Sequence, residues 1–169
     1  MSCTNFNCCC TGPPGKDGAS ATLENASFGT IQTSCSNAGD FFKFARTFNS
    51  SGACISTADN TAEINLIEKG LYYFIFSVNA RSICCDTSCS LTEACINGSG
   101  FVARVQASLN NIPVEGTEFF TSTFCDKSTQ LIAFGIINNV ANNSILRIRN
   151  LTATSTNYMN CKISIIKLA

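Results

Sequence analysis

The run Gly12-Pro13-Pro14, Gly15-Lys16-Asp17, Gly18-Ala19-Ser20 places glycine at every third position. Three polyproline II chains crowding around one axis need that spacing, because only glycine fits there. The run is therefore a statement about three chains. Three triplets are too few to hold a triple helix alone, so a trimer needs a trimerising unit further along. Just upstream, Cys3-Thr4-Asn5-Phe6-Asn7-Cys8-Cys9-Cys10-Thr11 is loaded with cysteine. The chain divides accordingly into a Cys-rich connector over 1–11, a collagen-like neck over 12–20 marked by Gly12, Pro13, Pro14, Gly15 and Gly18, and a head over 21–169.

At 169 residues there is room for one ordinary domain with a core beside such a tail. Lysine and arginine number 11 against 11 for aspartate and glutamate, and 13% of residues are charged, so no strong field steers the chain to nucleic acid or anionic lipid. No apolar run reaches about 18 residues, and no membrane span is expected. The N-terminus lacks the basic start and apolar centre of a secretory signal peptide. Twelve cysteines nevertheless suit a chain that ends up oxidised. The combination points to a protein assembled inside a cell that later lyses, or one that oxidises as it assembles.

Histidine is absent, which removes the usual general base for a Ser or Cys nucleophile and the imidazole metal ligands. No catalytic residue and no cofactor is expected, and the chain is read as not an enzyme. Cys85-x-x-x-Cys89 has the spacing of a zinc knuckle, with Cys95 as a further thiolate, but no second knuckle accompanies it, so no metal site is expected.

After a polar stretch over 21–39, aromatic content predicts a strand over Phe41–Phe48, closed by a loop over Asn49–Gly52. Ala62–Glu68 begins with a period near two. Gly70 leads into Leu71–Arg81, where Tyr72, Phe74, Phe76, Val78 and Ala80 share one face. Ile83–Gly100 reads as a long loop. Strand signals resume at Phe101–Leu109, turn at Asn110-Asn111, and continue as an edge piece over Ile112–Val114. Further runs cover Thr117–Phe124, Gln130–Ile137, Ser144–Leu151 and Cys161–Leu168. About eight short strands between Asn, Gly and Ser turns, with no capped helical period, predict an all-β antiparallel sandwich or jelly roll.

Gly70-Leu71-Tyr72-Tyr73-Phe74, the hairpin Leu109–Thr117 and the ending Ile163–Ala169 together resemble the TNF and complement-globular-head superfamily of trimeric jelly rolls. Within it the head is most similar to the C-terminal domain of the collagen-like nap glycoprotein of the Bacillus exosporium. The short neck, the N-terminal cysteines and the cysteine-bearing head resemble in architecture a pilin of the endospore appendages. The resemblance implies a homotrimeric TNF-like jelly roll, with Tyr72, Phe74 and Phe76 on a face that is either sandwich core or trimer axis. It also implies that Cys3, Cys8, Cys9 and Cys10 bond to a preceding subunit.

Neighbouring cysteines bond poorly to each other, so Cys8, Cys9 and Cys10 must look elsewhere for partners. Interchain bridges are expected, the alternative being idle thiols in a tail. In the head, Cys35, Cys54, Cys84, Cys85, Cys89, Cys95, Cys125 and Cys161 are candidates for internal disulfides or acceptors of an incoming tail, and eight cysteines allow 105 pairings. The loop holding Cys84, Cys85, Cys89 and Cys95 is the favoured acceptor. Phe6 is a candidate anchor in a neighbouring head. The expected function is that of a structural subunit of a disulfide-stabilised extracellular fibre or spore-surface appendage, its trimers linked head-to-tail and its partners further copies of itself and a spore-surface anchor protein. The alternative is a collagen-like exosporium surface or adhesive protein with a trimeric ligand-binding head.

Overall fold

The head is described from a computed structural model covering residues 24–31, 34–81, 100–124, 127–153 and 156–168. Those residues form eleven strands and no helix: β1 (Asn25–Thr30), β2 (Ser34–Ser36), β3 (Arg46–Ser51), β4 (Ile55–Thr57), β5 (Ile64–Leu66), β6 (Gly70–Arg81), β7 (Gly100–Leu109), β8 (Ile112–Phe124), β9 (Ser128–Asn139), β10 (Ser144–Asn150) and β11 (Thr156–Lys167). One sheet runs β3-β1-β11-β6-β9, with β2 pairing off β11; the other runs β4-β5-β10-β7-β8. Every pairing is antiparallel. The all-β jelly roll expected from the sequence is thus observed.

Alternation builds the core. Tyr72, Phe74, Phe76, Val78 and Ala80 of β6 meet Ile163 and Ile165 of β11, Phe28 of β1 and, from the facing sheet, Val105, Leu146 and Ile148. All are buried. The turn between β7 and β8 is carried by Asn110 and Asn111, both at positive φ (50° and 68°), the conformation a two-residue hairpin demands. Ile112–Val114 is no separate piece, because it runs straight on into β8. A bulge follows, where pairing shifts between Gln106 and Ser108 and Gly116 takes φ 72°.

The predicted strand over Phe41–Phe48 is corrected. Residues 40–45 cross over to the facing sheet and back, hydrogen-bonding through Phe42 N–H to Ile148, Phe44 N–H to Thr61 and Ala45 N–H to Gly29. Both rings are buried, and that of Phe42 lies 4.8 Å edge-on from Tyr158. Regular pairing begins only at Arg46, so Asn49–Ser51 belong to β3 and not to a loop. The polar stretch before it likewise contains β1 and β2.

The registers define two ends. Asn25, Gly70, Asn139, Leu109, Ile112 and Ser144 lie at the end where the chain comes in from the neck, called proximal below. Arg81, Gly100, Phe124, Ser128, Asn150 and Thr156 lie at the distal end, roughly 36 Å away along the twelve-residue β6. There Asn150 closes a buried knot: its amide nitrogen donates to Ser36 and Asn37, and its amide oxygen accepts from Tyr158 O–H at 2.8 Å and Thr152 N–H at 2.9 Å.

Candidate assembly interface

On β6 the residues between the core positions face outward. Register sets Tyr73 beside Ile136, Ile75 beside Phe134, and Ser77 beside Ile132 on β9, while Ile166 of β11 flanks Tyr73 on the other side. Ile132 and Phe134 are each 51% exposed and Ile136 60%, with Leu71, Ile75 and Ile166 also open. The Phe134 ring packs on Phe119 with centroids 5.0 Å apart. Towards β1 the same face turns polar, with Ser27 and Ser164 hydrogen-bonded at 2.7 Å. Near its distal rim, Arg81 Nε and Asn157 Oδ1, on paired positions, are buried without a hydrogen-bond partner among the described residues. A contiguous apolar patch of this kind marks a surface built to be covered.

Tyr72, Phe74 and Phe76 belong to the opposite face. They are fully buried between the sheets and offer nothing to a second protomer, so of the two places open to them they occupy the core. The outward set on β9 was the part missed from the sequence. Its signal was present, because apolar residues occupy both parities of Leu131–Ile137, the mark of a strand covered on both sides.

At the proximal end Glu24, Cys54, Glu68 and Lys167 converge. Cys54 N–H donates to Glu24 Oε2 at 2.9 Å. Burial pushes the Cys54 thiol up to about 12, helped by hydrogen bonds to the Glu24 and Glu68 carboxylates. A hydrogen-bonded ion pair with Lys167 holds the Glu68 carboxyl below its ordinary value and raises the ammonium. Tyr72 O–H and the Asn139 amide both donate to the Glu68 carbonyl, at 2.7 and 2.9 Å. These contacts tie the incoming chain to β5, β6 and the end of β11.

Cys161, mid-strand in β11, is buried with its thiol pushed up by desolvation. Cys54 and Cys161 are both free thiols. Neither is bridged within the head, and a thiol buried and held protonated is a poor nucleophile. Cys35, on β2 at the distal end, is exposed and disulfide-bonded to a partner outside the described residues. Cys84, Cys85, Cys89, Cys95 and Cys125 lie outside the described residues, as do Cys3, Phe6, Cys8, Cys9, Cys10 and the neck glycines and prolines. The described residues flanking the former group, Arg81 with Gly100 and Phe124 with Lys127, are all at the distal end. Among the described residues no three His, Cys, Asp or Glu side chains are grouped to hold a metal.

The two-sheet jelly roll is similar in fold to solved TNF-family and complement globular heads. The head is similar to the globular domain of zebrafish complement 1qA protein (TM-score 0.61, 12% identity, covering 86% of this chain and 98% of that one). It is similar also to murine APRIL at pH 8.5 (0.61, 8%, 86% and 99%) and to Eiger TNF from S. frugiperda (0.63, 11%, 88% and 94%). At such identities the likeness is one of fold. No protein-family model matches the sequence, and no curated protein does.

Proposed function

We propose that the chain is the structural subunit of a disulfide-stabilised extracellular fibre or spore-surface appendage. Its jelly-roll heads associate as homotrimers through the apolar face of β6 and β9, with the collagen-like neck as a semi-rigid spacer of roughly 25 Å. The connectors of one trimer dock on the next and bond to it through Cys3, Cys8, Cys9 or Cys10. An anchor protein at the spore surface holds one end of the fibre.

The observation that carries this reading is polarity. The chain leads in from the neck at the proximal end, whereas the described residues that flank Cys84, Cys85, Cys89, Cys95 and Cys125 lie at the distal end. A surface that meets a different surface on the next copy generates an open filament unless the rotation closes it. Deleting residues 1–11 tests the reading: soluble trimers without filaments are expected, and filaments that survive the deletion would overturn it.

A further inference from the structure

A cavity of about 490 Å³ opens beside the crossover, among Cys35, Asp40, Phe41, Lys43, Ala45 and Ala62. It lies in the distal half of the head: Cys35 pairs with Asn157, Phe41 bridges to Arg149, and Asn150 N–H donates to the Asp40 carbonyl. Its floor is rigid, because Phe42, also on the lining, is buried against Phe76 and Tyr158. The walls mix apolar side chains with the uncharged polar groups of Thr30, Ser36 and Asn60, and the one carboxylate and one ammonium among them cancel. Such a cleft suits an uncharged peptide bearing one large apolar side chain.

The connector is such a peptide. Residues 1–11 carry no charged side chain, and Phe6 is their sole aromatic. We infer that the cleft receives Phe6 from the connector of the next trimer, an assignment that rests on the head-to-tail reading and gives it a docking site. Phe6 lies six positions before Gly12, and extended that span reaches about 20 Å, enough to pass from a threefold axis to the flank of the facing head. The occupant comes from another trimer because a chain's own connector starts at the proximal end. Asp40 and Lys43 hydrogen-bond the peptide's backbone N–H and C=O groups on either side of the ring. Cys3 and Cys8 then sit within three residues of the seated phenylalanine.

Two full-length variants test this as a complementary pair. Phe6→Ala keeps the cleft and loses the anchor; Ala62→Trp keeps the anchor and fills the cleft. Each alone should show at least a tenfold loss of filaments while retaining the wild-type circular dichroism and head mass. Mixed, they should form complexes of two trimers and no longer species, read by mass photometry with reductant present. Ala45→Trp fills the same cleft from another element, so a folding failure of one variant leaves the other to decide. No paired complexes on mixing, or filaments from Ala62→Trp and Ala45→Trp at wild-type yield, would overturn the cleft assignment. If the wild type forms filaments while the pair fails, the fibre reading stands without this site. Paired complexes from a wild type that forms no filaments would leave the site standing and the fibre reading fallen.

Discussion

Phe134→Asp places a carboxylate at the centre of the apolar face. Phe134 is 51% exposed, and of the roughly 200 Å² of a phenylalanine about 100 Å² stays in water when the protomer is alone. At about 25 cal/mol per Å² its burial stabilises association by about 2.5 kcal/mol per protomer, or about 7.5 kcal/mol over three copies. The entropy lost on association is common to both proteins and drops out of the difference. Dividing by about 1.4 kcal/mol per decade gives a fall of about five decades in the trimer association constant, before any cost of burying the charge. The fold itself loses little: the side chain points away from the core, and the Phe119 ring contact contributes about 1 kcal/mol. Sedimentation equilibrium on protein lacking residues 1–11 reads the result directly. A well-folded monomer is expected. A Phe134→Asp trimer as tight as the parent would refute the assignment of this face.

Four further outcomes follow from the packing. Gly29→Ala would drive a methyl to 2.6 Å from the Cys161 carbonyl, which paired strands hold fixed, so thermal denaturation should show a loss of about 2 kcal/mol. Tyr158→Phe removes the hydroxyl shared by Asn150 and Thr152 and should cost about 1–2 kcal/mol in urea unfolding, against almost nothing for a control, Tyr73→Phe, at the half-buried outward face of β6. Alkylation followed by peptide mapping should leave Cys54 and Cys161 unlabelled in the native protein at pH 8 and labelled in denaturant. The Glu68–Lys167 pair gives a pH signature. A carboxyl lowered from 4.5 on folding contributes stability above that value and loses it as pH falls through the folded pKa; the raised lysine contributes below 10.5 and loses it as pH rises through its own. Melting curves of Lys167→Gln and wild type should therefore differ at pH 6–9 and converge in acid.

The strands most legible in the sequence were those with one clean alternation. Leu71–Arg81 differs from β6 by one residue, because Tyr72 through Ala80 place every core side chain on one parity. The Asn110-Asn111 turn was legible because few residues tolerate positive φ. The crossover was misread because Phe42 and Phe44 are buried at alternate positions just as in a strand, although their hydrogen bonds go to two different partners outside any ladder. Three-residue strands such as β2 and β4 left no periodicity to detect. Of the assembly face, the β6 half was visible as the second parity of the alternation. The β9 half was not, since which side of a two-sided apolar strand meets solvent depends on the facing sheet. Cys54 illustrates the same limit: its burial and its hydrogen bonds to Glu24 and Glu68 come from residues far apart in the sequence.

The proposed fibre consists of heads made trimeric by the β6–β9 face and strung together by their N-terminal connectors. Electron microscopy of the purified full-length chain, before and after reductant and denaturant, tests it most directly. Flexible filaments of regularly spaced globular heads joined by thin necks of roughly 25 Å, resistant to denaturant until reductant is added, are expected. A field of isolated single heads or single trimers, unchanged by reductant, would contradict it.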